Sequence, residues 1–86
     1  MKIDERTFKF ALLIIALYKY LVLKKEYILS KQIMRSGTSI GANVEEAQAA
    51  QSKKDFISKM SIASKEARES KYWIRLLDKS GYLEGY

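Results

Sequence analysis

The 86-residue chain contains no cysteine, no histidine and no proline, and it has only four glycines. Without cysteine the chain has no disulfide and no thiolate that could bind a metal or act as a nucleophile. Without histidine it lacks the usual general base near neutral pH and the commonest metal ligand. It also has no phosphate-binding loop. We therefore expect no metal, no cofactor, no small-molecule substrate and no enzymatic activity.

The length and charge of the chain further limit the class of protein to which it can belong. A chain of this size forms at most one domain, so residues 1–86 are treated as a single domain. Hydrophobic residues make up 48% and charged residues 30%, which is typical of a globular protein. Sixteen Lys and Arg residues against ten Asp and Glu residues give a net charge of +6. Such a charge is typical of a basic protein, but it does not by itself state the function.

The longest apolar run, Phe10–Leu23, has fourteen residues and includes Lys19. A membrane-spanning helix needs about 20 apolar residues, and shorter runs more often form buried helices. Asp4 and Glu5 precede the run, whereas a signal peptide begins with basic residues. The sequence therefore predicts a cytoplasmic protein without a membrane segment. A helix lying on a membrane surface remains a weaker alternative.

Three long helices are predicted, and the first spans residues 4–25. Asp4 is expected to be the N-cap, because its carboxylate can accept from the free amides of the first turn. Phe8, Leu12, Ile15 and Val22 share one face, but apolar residues also cover much of the remaining surface. A short chain has no core large enough to bury such a helix, so part of it is expected to contact another chain.

The second helix is predicted over residues 27–50. Apolar, small and polar residues recur there at alternating spacings of four and three, which is a heptad pattern: Leu29, Ile33, Ser36, Ile40, Asn43, Ala47 and Ala50. Gly37 and Gly41 each disfavour a helix by about 1 kcal/mol relative to alanine. One continuous helix is preferred because the pattern keeps its phase across both glycines. A loop between two short helices is the alternative.

The third helix is predicted over residues 52–80. Ser52 and Asp55 resemble a capping box at its start, and Gly81 suits the position after its end. Short connections between the helices predict an all-α, antiparallel up-and-down bundle. Three amphipathic helices would leave an open groove, which a fourth helix from this or another chain should fill.

Small residues are concentrated between Arg35 and Glu46, where Gly37 and Gly41 lie four residues apart on one helix face. Gly37, Gly41 and Asn43 are predicted to allow close packing between helices. A ligand or nucleic-acid contact is the alternative for this segment. Trp73 is predicted to be an aromatic anchor at a helix contact, with base stacking as its alternative.

A charged cluster is predicted to join the second and third helices. Arg35 is expected to form a partly buried ion pair with Glu46 and Glu66, with Glu45 and Glu69 nearby. Such pairs fix the register of helices more than they stabilise them. Carboxylate pairs can also support acid–base catalysis, but an adjacent arginine and the absence of histidine disfavour that interpretation.

Basic residues are enriched at both ends of the chain. Residues 1–25 and 52–80 each carry a net charge of +4, whereas residues 26–51 carry −1. The candidates for nucleic-acid contact are Lys53, Lys54, Arg68, Lys71 and Arg75, because Arg68, Lys71 and Arg75 follow one helix face beside Tyr72. A solvated face with pairs such as Lys65 and Glu69 is the alternative. A second hypothesis is a scaffold that binds an acidic protein through the same charges.

The segment RSGTSIGANVEEAQAAQSKKDFISKMSIASKEARESKYWIRLL, Arg35–Leu77, strongly resembles a family of four-helix bundles. That family includes the intervening-sequence protein of bacterial 23S ribosomal RNA. The preceding stretches FKFALLIIALYKYL and YILSKQIMRSG fit the same pattern, so the resemblance covers nearly the entire chain. It implies no enzymatic activity and a biochemical role that is poorly defined.

The resemblance also implies an assembly. Related proteins form rings, commonly pentamers, and include the accessory protein of diversity-generating retroelements, a basic ring that binds nucleic acid and a reverse transcriptase. Family members continue past the position of Tyr86 with a fourth helix. This chain stops where that helix should begin, so either the chain is truncated or a partner supplies the helix. The combined hypothesis is an oligomeric helical bundle that binds nucleic acid through pooled basic surface.

Overall fold

A computed structural model describes residues 2–86, and three α-helices account for most of them. Helix α1 spans Ile3–Leu23, α2 spans Leu29–Gln48 and α3 spans Lys53–Lys79. The predicted all-α bundle is confirmed, and no strand occurs in the described residues. Helix α2 continues through Gly37 and Gly41 without interruption, which excludes the alternative of a loop at that segment.

The ends of α1 depart from the sequence prediction. Lys2 is the N-cap and makes no side-chain capping bond, so the prediction that Asp4 caps this helix was wrong. Asp4 instead lies inside the first turn, where its charge suits the positive end of the helix dipole. At the other end Lys25 adopts a φ of 65°, a left-handed conformation that glycine usually supplies. The amide of Glu26 then donates to the carbonyl oxygen of Leu21 at 2.9 Å, which reverses the chain.

Glu26 organises the start of α2, a role that the sequence analysis missed. Its carboxylate accepts from the backbone amides of Ile28, Leu29 and Ser30 at 3.1, 2.9 and 2.6 Å. Desolvation of the buried carboxyl group raises its pKa, but these hydrogen bonds outweigh that effect, so the pKa of Glu26 is lowered. A single acidic side chain thus satisfies the amides that the first turn leaves without partners.

Helix α3 begins and ends at the residues that the sequence predicts as its caps, Ser52 and Gly81. The amide of Asp55 donates to the hydroxyl of Ser52 at 3.0 Å, as expected for an N-cap serine. Gly81 follows the helix with a φ of 90°. The amide of Tyr82 donates to the carbonyl oxygen of Leu77 at 3.0 Å, and the chain turns back. Tyr82 and Leu83 consequently pack against the core.

Helix α2 is the centre of the molecule. It packs against α1 and against α3, whereas within residues 2–86 the backbones of α1 and α3 do not approach each other. The main core lies where the C-terminal halves of α1 and α3 meet the N-terminal half of α2, and it comprises Ile14, Leu17, Leu21, Ile33 and Leu77. The opposite side of α1 remains exposed, including Phe8 and Leu12.

The two contacts of α2 differ in chemistry. Towards α1, Gly37 lies so close to Ile14 that a Cβ at position 37 would stand 2.7 Å from Ile14 Cγ1. A Cβ at position 41 would lie 3.4 Å from the backbone of Thr7. Towards α3, the buried hydroxyl of Ser70 donates to that of Ser36 at 2.9 Å. The glycines of α2 therefore allow α1 to approach closely, whereas hydroxyl groups connect α2 to α3.

Candidate nucleic-acid and helix-docking surfaces

A stripe of cations and one aromatic ring follows the solvent-facing side of α3. Its members are spaced alternately three and four residues apart, and all are exposed: Lys65, Arg68, Tyr72, Arg75 and Lys79. We call these residues the basic stripe. At a rise of about 1.5 Å per residue, the stripe is about 21 Å long. Tyr72, Arg75 and Lys79, with Leu76, also line a shallow depression of about 130 Å³.

Two of the five predicted nucleic-acid contacts, Arg68 and Arg75, belong to the basic stripe. Lys71 lies beside it, on the side of α3 that faces the space between α1 and α3. Lys53 and Lys54 lie in the first turn of α3, about 20 Å before Arg68. The structure therefore brings Arg68, Lys71 and Arg75 together and separates them from Lys53 and Lys54. Lys65 and Lys79 extend the basic stripe at its two ends. The alternating spacing of three and four residues in the sequence could have identified them.

The predicted ion pair forms differently from the expectation. Arg35 contacts Glu66 at 3.3 Å and Glu69 at 2.5 Å. The side chain of Arg35 is 52% exposed and those of Glu66 and Glu69 are 14% and 31% exposed, so the pair is only partly buried, as expected. Glu46 was wrongly included, because it is exposed and lies eleven residues after Arg35, about 16 Å farther along α2. Glu69, on α3, is instead the second partner of Arg35.

The same ion pair engages Glu69, the acidic residue nearest in sequence to Arg68 of the basic stripe. The hydrogen bond that Glu69 accepts from Arg35 lowers the pKa of Glu69 and outweighs the opposing effect of desolvation. The same hydrogen bond raises the pKa of Arg35. In the described part of the chain, no carboxylate lies within 4 Å of the charged atoms of Lys65, Arg68, Arg75 or Lys79. Glu69 pairs with Arg35, and the alternative pairing of Lys65 with Glu69 is not formed.

The other predicted packing residues have distinct surroundings. Trp73 is half-buried, packs against the core and meets Tyr72 edge-on, with ring centroids 5.2 Å apart. Asn43 donates from Nδ2 to the carbonyl oxygen of Ser39 at 2.8 Å, which is a bond within α2. Trp73 thus holds α3 against the core, whereas the amide of Asn43 is used inside its own helix.

A groove of about 580 Å³ runs between α1 and α3, because α2 holds these helices apart. Its lining is mostly apolar, with three cations at its edges: Ile3, Arg6, Thr7, Phe10, Ile40, Ala67, Ser70, Lys71, Ile74 and Arg75. We call this space the α1/α3 groove. A smaller depression of about 180 Å³ continues it towards Val44 and Met60 and shares part of its lining.

Comparison with known proteins identifies the family. The family model described as 23S rRNA-intervening sequence protein matches residues 1–85. The chain belongs to this family. The predicted resemblance is therefore confirmed over almost the whole chain.

A solved structure from Bacteroides thetaiotaomicron agrees closely with the fold. It is a protein with unknown function from the S23 ribosomal protein family, and it is 52% identical to this chain with a TM-score of 0.94. The match covers 95% of this chain and 77% of that protein. No protein of curated function matches the chain significantly. None of the helices in residues 2–86 has the length and apolar character required to cross a membrane.

Proposed function

We propose that this family member is a non-enzymatic, cytoplasmic helical-bundle protein that binds nucleic acid through the basic stripe. The observation that carries the proposal is the row of four exposed cations on α3, none of which is paired with a carboxylate in the described residues. Cations without protein partners can neutralise phosphates and release the counterions bound to them.

The geometry of the stripe supports contact with an extended backbone. The cations lie along one continuous helix, and Tyr72 lies between Arg68 and Arg75. Phosphates would lie against the cations, while an unpaired base could stack on the exposed ring of Tyr72. Arg68 also donates from Nη1 to the hydroxyl of Ser64 at 3.1 Å, which restrains its guanidinium.

We propose further that copies of the chain assemble. Four large side chains of α1 are each more than half exposed: Phe8, Leu12, Leu13 and Leu23. Burying them against other copies is favourable, and the resemblance stated above favours a ring such as a pentamer. An assembly would repeat the basic stripe and increase its attraction for phosphates. Light scattering tests this step, and a well-folded single copy at high dilution would contradict it.

The binding proposal is tested by the salt dependence of affinity for a labelled single-stranded RNA of about 20 nucleotides, a length that exceeds the stripe. Four phosphate contacts per chain predict a slope of log K against log salt of about −3. Replacing two stripe cations, in Arg68→Gln/Arg75→Gln, should reduce the slope to about half of that value.

The matched control is Lys19→Gln/Lys31→Gln, which removes the same charge from exposed positions on α1 and α2. This control should keep most of the wild-type slope if the stripe binds the RNA. Equal losses in both double variants would show that only net charge matters. No binding by the wild-type protein at low salt would refute nucleic-acid binding altogether.

A further inference from the structure

The shallow depression at the C-terminal end of the basic stripe combines an apolar row with a cationic row. Tyr72 and Leu76 lie four residues apart on α3, as do Arg75 and Lys79, so each pair follows one line along the helix. The two rows lie side by side, because residues three apart are also neighbours on a helix surface. Tyr72 is 53% exposed and Leu76 is 37% exposed, so solvent reaches the apolar row. The depression therefore suits a ligand with a flat apolar part and a negatively charged part.

The ring of Tyr72 is restrained by its neighbour. Trp73 packs against the core, and its ring meets that of Tyr72 edge-on, with centroids 5.2 Å apart and planes inclined at 65°. An edge-on contact covers at most one face of the phenol ring. The half-exposed ring of Tyr72 thus keeps a face available to a ligand. Because the contact with Trp73 already orders this ring, a ligand that stacks on it loses less conformational entropy.

The size and charge of the depression define the ligand further. Its volume of about 130 Å³ accommodates one planar group, and no carboxylate is among its lining residues. A nucleobase is planar, has apolar faces and is joined to phosphates that the cationic row can neutralise. In a duplex each base is paired and stacked between its neighbours, whereas an unpaired base can stack on an aromatic side chain. The depression therefore fits a nucleotide of a single strand.

We propose that this depression holds one unpaired base of a single-stranded nucleic acid, stacked on Tyr72 and packed against Leu76, with the adjoining phosphates at Arg75 and Lys79. The proposal rests on the proposed function, because the other phosphates of the strand would lie along the basic stripe. It adds that this site distinguishes single strands from duplexes, since the ring of Tyr72 contributes only when a base is free to stack on it.

The test measures two labelled RNAs, a single strand of about 20 nucleotides and the same strand annealed to its complement. Tyr72→Leu removes the ring but keeps an apolar side chain and the charge of the protein. Its affinity for the single strand should fall about tenfold, within the range that one base–aromatic contact contributes, and its affinity for the duplex should not change. Each variant is compared with the wild-type protein on the same RNA, because the denser phosphates of a duplex attract cations more strongly whatever the bases do.

Two control variants show whether the effect belongs to the ring and to this position. Tyr72→Phe keeps the ring and should bind the single strand like the wild-type protein. Tyr27→Leu removes a tyrosine that is equally exposed, at 53%, but lies between α1 and α2, and it should leave both affinities unchanged. A loss in Tyr72→Phe as large as that in Tyr72→Leu, or an equal loss in Tyr27→Leu, would overturn the proposal. A changed oligomeric mass of Tyr72→Leu would also overturn it, because the ring would then lie between copies.

Failure of this proposal can be distinguished from failure of the proposed function. If Tyr72→Leu binds the single strand as tightly as the wild-type protein, and both retain a steep salt dependence, the basic stripe binds phosphates but the depression holds no base. If Tyr72→Leu weakens the binding of both RNAs equally, the site does not distinguish single strands and the proposal is wrong. If the wild-type protein binds neither RNA at low salt, nucleic-acid binding itself is refuted.

Discussion

The two contacts that α2 makes with its neighbours are built on different physical principles. Towards α1, Gly37 leaves no room for a side chain, since a Cβ there would lie 2.7 Å from Ile14. Towards α3, Ser36 and Ser70 form a buried hydrogen bond, and Arg35 bonds Glu66 and Glu69 at the edge. Shape determines the first contact, and the pairing of polar groups determines the second. The two contacts should therefore respond to different substitutions.

The largest effect is expected at the shape-determined contact. Gly37→Ala would force Ile14, which is only 3% exposed, away from the helix, and should lower the free energy of unfolding by about 2 kcal/mol. The matched control is Gly41→Ala, where a Cβ would make an ordinary contact of 3.4 Å with Thr7. The control should retain stability or gain up to about 1 kcal/mol from helix propensity.

Urea unfolding at one fixed protein concentration measures both variants. Equal stabilities of Gly37→Ala and Gly41→Ala would mean that Ile14 accommodates a Cβ at position 37 as easily as Thr7 accommodates one at position 41.

An intermediate effect is expected at the polar contact. Ser70→Ala or Ser36→Ala alone leaves a buried hydroxyl without its partner and should cost about 1–2 kcal/mol. The double variant removes both hydroxyls and should cost less than the sum of the single variants. Urea unfolding of all four proteins gives the coupling free energy. Strictly additive losses would show that the 2.9 Å hydrogen bond contributes nothing specific.

The smallest effect is expected at the partly buried ion pair. The hydrogen bond to Arg35 lowers the pKa of Glu69 below its usual 4.5 in the folded protein. The stabilisation from the charged form is therefore present above pH 4.5 and is lost as the pH falls below it. Glu69→Gln should melt slightly below the wild-type protein at neutral pH, and the difference should disappear in acid. Added salt should also reduce it.

Glu45→Gln is the control for that experiment, because Glu45 is exposed and forms no ion pair within residues 2–86. Its melting temperature should stay close to the wild-type value at every pH. A difference for Glu69→Gln that persists in acid would show that the substitution acts through packing instead of charge.

Much of the fold was predictable because it depends on local signals. The 4–3 spacing on α2 and α3, Ser52 before α3 and Gly81 after it act within a few residues of chain. The role of Glu26 was not predictable in this way. A glutamate three residues before a helix has no strong sequence signature. Its role becomes evident only once the turn at Lys25 brings its carboxylate close to the amides at the start of α2.

The candidate surfaces were predicted in part. The cations of α3 were visible in the sequence, but their separation into the basic stripe and the edge of the α1/α3 groove required the position of α1. Arg6 was missed because it is distant from Lys71 in sequence and lies across the groove from it. Glu69 replaced Glu46 as the partner of Arg35 for the same reason, since contacts between helices depend on their relative rotation.

The sequence by itself determined that this protein is a bundle of long helices with excess positive charge, because helix periodicity and charge are properties of short segments. Only the tertiary structure decided which face of α1 is buried. Phe8 and Leu12 are as apolar as Ile14 and Leu17, yet they are exposed. Close approach to Gly37 selects the face that contains Ile14, and that choice leaves Phe8 and Leu12 exposed.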